Sequence, residues 1–275
     1  MAASRPGCAP GEVGRAMDKA GIGRRFAGRA GILTGAASGI GRATALRLSA
    51  EGARLLLVDL AEDGLAETLR LIGEQNGPDG PEAAVHPADV SDEAAVRGAV
   101  EAAAARFGAI DLLVNVAGFH RVVPLEDITL DYWNRQFAVN AAGTMLFCRE
   151  AMPHLEAAGG VVVNTASTSA THAHPAMAAY AASKGAVLAF TLSLAAEVWK
   201  RGVRVLAVSP GGVATPLTRA VSFPENADGS YYARITPPVA MGEPEEIAAA
   251  IAFAASDDGA FVRGVELRVD GGSHA

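Results

Sequence analysis

Two cysteines, an aromatic share of 5% and an acidic charge balance are the first constraints in this chain, because each removes a class of protein. Cys8 falls in an irregular Gly-rich leader and Cys148 in an apolar helical stretch, so no framework disulfide is expected. No Cys or His spacing suits a metal ion, and so few cysteines fit a reducing cytoplasm. With aromatics scarce, Ala, Val and Leu must fill the interior. The formal net charge is -7 and the basic residues, mostly Arg, are scattered. A nucleic-acid partner, which needs a concentrated cationic patch, is therefore not expected. No apolar stretch approaches the roughly 18 uncharged residues of a membrane span. Residues 1–25 lack the apolar segment of a secretory signal and are expected to be a disordered leader, with Met17 as an alternative start to Met1.

What is present is a regular alternation. Half of the 275 residues are apolar, enough to build the core of one domain over 26–275. Short aliphatic runs at 30–34, 53–58, 83–86, 110–114, 161–165, 203–208 and 265–269 predict seven strands. Ala-rich stretches at 40–50, 61–72, 92–107, 130–155, 178–200 and 243–255 carry the helical period. Ser91 ahead of two acids, and Thr129, mark helix starts, and Gly202 marks a stop. Because the strands are apolar on both faces, they predict a parallel sheet covered on both sides. That is a doubly wound, Rossmann-like α/β fold with a seven-stranded parallel sheet, whose ligand crevice lies beyond the carboxyl ends of the strands. The Pro- and Gly-rich stretch at about 212–241 is longer than an ordinary connection and predicts a substrate lid.

The first strand runs into Thr34-Gly35-Ala36-Ala37-Ser38-Gly39-Ile40-Gly41 and then a helix. Gly35 and Gly39 permit the turn and close approach of a phosphate, Gly41 permits tight packing of helix on sheet, and the helix N-terminus can receive a pyrophosphate. Asp59 ends the second strand at the distance expected for an acid on the adenosine ribose, with Leu60 beside it. Its charge opposes a 2′-phosphate, so NAD is the expected cofactor. Asp89 and Val90 follow the third strand, and Asn115, Ala117 and Gly118 follow the fourth; each could be a turn residue, but together they suit a cofactor wall.

Ser167 follows the fifth strand, and Tyr180 and Lys184 stand one helical turn apart on one face of the next helix. An ammonium beside a phenol is expected to lower the phenol's pKa, making Tyr180 a general acid and base for hydride transfer. Ser167 would hydrogen-bond the substrate oxygen, and Lys184 would hold the nicotinamide ribose. Taken alone, the Tyr-x-x-x-Lys spacing also describes a packing pair. Asn140, costly to bury without partners, is expected to hold a water near Lys184 or to distort its helix.

In these motifs the chain resembles the short-chain dehydrogenase/reductase family over residues 26–272. Thr34 to Gly41 resembles the family's glycine turn, Asn115-Val116-Ala117-Gly118 its Asn-x-Ala-Gly element, and Asn140, Ser167, Tyr180 and Lys184 its catalytic residues in order. The resemblance implies that Pro210, Gly211, Val213 and Thr215 adjoin the nicotinamide and that the assembly is a homotetramer. Val116 and Ala166 are mild departures, standing where the family often has Asn and Ser.

The expected substrate is a small secondary alcohol or its ketone, such as a cyclic polyol, sugar derivative, hydroxy acid or steroid-like molecule. Ser169 and His120 are candidate contacts beside Ser167 and Tyr180; Phe119, His172, His174, Met177 and the lid are expected to line the pocket too, with Tyr231 and Tyr232 at its entrance or packing the lid. The alternative is an NAD-binding regulatory or structural protein with weak turnover.

Overall fold

The computed structural model describes residues 23–219, 230, 235 and 237–274. The expected leader, with Cys8 and Met17, lies almost wholly outside the described residues, as do Tyr231, Tyr232 and the middle of the expected lid.

Among the described residues seven strands form one parallel sheet in the order β3-β2-β1-β4-β5-β6-β7. They are β1 (Ala30–Thr34), β2 (Arg54–Asp59), β3 (Ala83–Pro87), β4 (Leu112–Asn115), β5 (Val161–Thr165), β6 (Arg204–Pro210) and β7 (Glu266–Val269). All seven expected strands are present. Strand β6 runs two residues further than its aliphatic run, because Ser209 and Pro210 stand in register with Arg268 and Val269 of β7.

Along the central strands successive side chains enter opposite layers, as the pleat requires. Leu56, Val58, Leu113 and Val162 face one core, shared with α3 (Glu93–Phe107), α5 (Gly143–Ala158) and α6 (Ala178–Val198). Leu55, Leu57, Val114 and Val163 face the other, shared with α1 (Gly39–Ala50), α2 (Glu62–Asn76) and α8 (Pro244–Ala255). The short α7 (Pro216–Arg219) follows β6. The chain reverses its winding between β1 and β4, and a ligand crevice opens at such a point.

Three expectations are corrected. The helix after β3 is capped by Asp92, whose carboxylate accepts from the amides of Ala94 and Ala95 at 2.8 and 3.1 Å. Ser91 instead donates to Asp89 at 2.6 Å, because the turn leaving β3 closes on that carboxylate. The helix expected over 130–155 is interrupted: α4 (Leu130–Phe137) passes through a π turn at Ala138–Ala142 into α5. Helix α6 ends at Val198 in a 3-10 turn before Gly202, whose φ of 84° closes it in the left-handed region. Thr129 does cap α4, accepting from the Tyr132 amide.

The 178–201 stretch is long and apolar enough to cross a membrane by length and composition, with a mean hydropathy of 1.3. In this fold it lies against β6 and buries Ser183, Lys184, Val187 and Thr191.

Candidate active site

The strand ends meet in a cleft of about 690 Å³. Its floor at the first crossover depends on glycine. Gly35 has a φ of 73°, and a Cβ there would lie 2.7 Å from the Ala117 amide nitrogen; at Gly41 a Cβ would meet the Gly35 carbonyl oxygen at 1.9 Å. No other residue fits either place. Thr34 Oγ1 accepts from the amides of Val116 and Ala117, both at 3.2 Å, and so ties the glycine turn to the loop after β4. Ser38 begins α1 without a side-chain cap, which leaves amides of the first turn free to meet an anion.

Asp59 lies at the rim of this cradle. Its Oδ2 accepts from the Ala37 amide at 3.1 Å and its Oδ1 from the Ala61 amide at 3.0 Å. The nearby Arg42 is already engaged, donating to Thr68 at 3.0 Å and to the Ala37 and Gly64 carbonyls. Leu60 is exposed beside it. Asp89 is bound by Ser91 and by Arg135. Burial works against its carboxylate, but the hydrogen bonds from Ser91 and Arg135 prevail and hold its pKa below the usual range.

Tyr180, Lys184 and Ser167 converge on the same cleft. Lys184 is buried, and its Nζ donates to the Thr165 carbonyl at 2.7 Å. Ser167 Oγ accepts from the Ser169 amide at 3.2 Å and the Ser169 hydroxyl at 3.0 Å. A hydroxyl has two acceptor sites and one hydrogen, so Ser167 keeps its own hydrogen to donate toward the cleft. The expected depression of the phenol pKa is not what this environment produces. Burial raises Tyr180 above its ordinary value, against a smaller opposing effect of the Ser167 hydrogen bond. Burial also pulls Lys184 down to about 8. The ammonium is spent on the Thr165 carbonyl, and desolvation of the phenolate decides the direction.

The cleft wall takes in the expected Gly35, Ser38, Gly39, Ile40, Gly41, Asp59, Leu60, Asp89, Val90, Ala117, Gly118, Pro210, Gly211, Val213 and Thr215, together with His120. Six expected residues stand outside it: Asn115, Asn140, Ser169, His172, His174 and Met177. Asn115 is buried beneath the floor and donates to Asn164 at 2.9 Å. Ser169 supports Ser167. Asn140 stands in the π turn, the helix distortion expected as its alternative role; its side chain accepts from the Phe119 amide at 3.0 Å and donates to the Phe119 carbonyl and to Ser183 Oγ. His174 and His172 pack against His274 instead, at ring distances of 5.4 and 4.1 Å. The sequence reading missed Gln136, which donates to the Phe119 carbonyl at 2.7 Å, and Arg135 on Asp89. Gln136 and Asn140 stand one helical turn apart, and that polar pair on one face was the available signal.

A family model described as Enoyl-(Acyl carrier protein) reductase matches residues 35–274. D-threitol dehydrogenase of Mycolicibacterium smegmatis is 42% identical over 249 residues, covering 90% of this chain and 94% of that protein. Meso-2,3-butanediol dehydrogenase of Serratia marcescens is 38% identical, covering 91% and 96%. A short chain dehydrogenase from Mycobacterium paratuberculosis bound to NAD superposes with a TM-score of 0.83 at 30% identity, covering 90% of this chain and 98% of that one. The chain belongs to the short-chain dehydrogenase/reductase family. A further short chain dehydrogenase, from Burkholderia cenocepacia and in complex with NADP, has a TM-score of 0.81 at 32% identity, covering 91% and 100%. Membership in the short-chain dehydrogenase/reductase family makes this chain a dinucleotide-dependent oxidoreductase acting on CH–OH groups of small alcohols or on their ketones.

Proposed function

We propose that this oxidoreductase uses NAD and moves the substrate proton through Tyr180. The observation that carries the reading is the convergence of Tyr180, Ser167 and Lys184 in one cleft with a cradle only glycines can form. The glycine turn from Gly35 to Gly41 would hold the pyrophosphate at the α1 N-terminus, Asp59 the adenosine ribose, and Asp89, Val90, Ala117 and Gly118 the adenine side. Pro210, Gly211, Val213 and Thr215 would hold the nicotinamide end. NAD supplies the acceptor of hydride in oxidation, and NADH the donor in reduction.

The chain's own residues do the rest. In reduction Tyr180 gives its proton to the forming alkoxide and becomes phenolate; in oxidation that phenolate takes the hydroxyl proton. Ser167 donates its remaining hydrogen to the substrate oxygen, and Lys184 keeps a positive charge beside the phenol. Asn140 positions the 118–120 loop, His120 contacts substrate, and the 212–241 stretch of the single catalytic domain serves as lid. NAD rather than NADP is favoured by the Asp59 charge and by the prior engagement of Arg42. Assembly as a homotetramer accords with the exposed Trp199, Phe253 and Phe261; a monomer in sedimentation equilibrium would refute it.

Tyr180→Phe is the decisive variant. It is expected to lower kcat by about 10²–10⁴-fold, the usual worth of a general acid or base, while calorimetry finds NAD binding retained. Turnover near that of the wild type would remove Tyr180 from the chemistry.

A further inference from the structure

Helix α6 carries Tyr180 and Lys184, yet Ala, Val, Leu and Phe make up most of it. Apolar packing is non-directional, so it fixes the distance of the helix from the sheet more firmly than its slide or rotation. Hydrogen bonds, which are directional, can fix both. The buried face that bears Lys184 also bears Thr191, two turns on at about 10 Å. Thr191 and its partner Asn164 are wholly buried. Asn164 Nδ2 donates to Thr191 Oγ1 at 3.0 Å, and Thr191 donates onward to the Val187 carbonyl at 2.7 Å. From the other side Asn115 Nδ2 donates to Asn164 Oδ1 at 2.9 Å. One chain of donors thus runs from β4 through β5 into α6.

We propose that Asn164 and Thr191 are positioning residues for the reaction: they clasp α6 to the end of β5 and so hold Lys184 against the Thr165 carbonyl and Tyr180 in the cleft. This rests on the reading of Tyr180 as the proton carrier. Asn164 immediately precedes Thr165, whose carbonyl accepts from Lys184 Nζ at 2.7 Å. The clasp and the Lys184 contact therefore join one strand end to one helix face, a residue apart on the strand and two turns apart on the helix. Two bonds so spaced oppose both slide and rotation, whereas one alone leaves a pivot. Among the described residues the other hydrogen bonds from α6 side chains to other elements fall in its first two turns, as at Ser183 and Lys184, so Thr191 is what holds the turns beyond. Apolar side chains of the same shape would stabilise this core about as well; what the polar chain adds is a fixed position.

The test compares wild type with Thr191→Val, which keeps the shape and removes the hydroxyl, and with Thr191→Ser, which keeps the hydroxyl. Lys184 is one of three lysines, beside Lys19 and Lys200, and Lys200 is exposed. Brief acetylation with acetic anhydride, read by peptide mass spectrometry as the ratio of Lys184 to Lys200, reports how firmly the buried ammonium is held, without any proton transfer to substrate. Thr191→Val is expected to raise that ratio by about fivefold or more, the scale of one lost hydrogen bond. It is also expected to lower kcat with NAD and 2,3-butanediol as probe alcohol by about tenfold or more, with KM little changed. Thr191→Ser is expected to stay near the wild type in both. A Thr191→Val enzyme that merely unfolds at lower denaturant, with either readout at its wild-type value, would overturn the proposal, as would a Thr191→Ser enzyme as impaired as Thr191→Val. Should Thr191→Val fail to fold, Thr191→Ala against Thr191→Ser makes the same comparison, one hydroxyl apart. The two readings stay distinguishable: normal turnover in Tyr180→Phe, with Lys184 exposed and kcat lowered in Thr191→Val, would remove Tyr180 and leave the clasp acting through Lys184.

Discussion

Each carboxylate oxygen of Asp59 already accepts one backbone amide, from Ala37 and from Ala61. A carboxylate offers about four acceptor sites, so about two remain for ribose hydroxyls while the full negative charge stays at the rim. Hydrogen bonds to a charged acceptor contribute about 1.5–3 kcal/mol. Asp59→Ala is therefore expected to lower kcat/KM with NAD by about 10–100-fold and to raise the relative use of NADP, measured as the ratio of the two. Asp59→Asn keeps one amide-accepting oxygen and drops the charge, which separates repulsion of a 2′-phosphate from support of the glycine turn. A ratio unchanged in both variants would count against the ribose contact and the NAD preference together.

The segment from α4 through the π turn to α5 shows how a helix can serve as a clamp. Gln136 and Asn140 project from it onto the main chain of Phe119, the residue before His120. π turns recur at functional positions because the extra residue re-aims a side chain. Asn140→Ala would leave the Phe119 amide without the acceptor it has in this fold, at a cost of about 1–3 kcal/mol in unfolding free energy by denaturant titration. A variant as stable as the wild type would show that the amide does not hold the loop. This element also marks the limit of what the sequence disclosed. Strands such as β1 and β5 were legible to the residue, because their aliphatic runs end at polar turns. Ala138 to Ala142 carries no helix breaker, and the cause of its distortion lies in partners that the fold brings from the β4 loop and from α6. The same division holds at the site. Spacing placed Tyr180, Lys184 and Ser167 together, whereas the direction of the phenol's pKa follows from burial, which no motif encodes.

For the whole molecule, burial of basic groups near the cleft makes stability depend on pH in a definite direction. His120 falls from 6.5 to about 4, chiefly through burial, and His174 is lowered for the same leading reason. Between about 6.5 and 4 the unfolded chain binds protons that the folded chain refuses, so stability declines as pH falls through this window. Lys184, lowered from 10.5 to about 8 by burial, acts with the same sign at higher pH: stability rises between about 8 and 10.5 as the folded form sheds a proton that the unfolded form keeps. The His120 shift corresponds to roughly 3 kcal/mol at full effect, reduced by solvent around a ring that is not wholly enclosed. Denaturant titrations at pH 7, 6, 5 and 4 are expected to show a falling unfolding free energy in the wild type and a shallower fall in His120→Gln, which has no group to protonate there. An identical slope in the two proteins would mean that the imidazole is solvated in the native state.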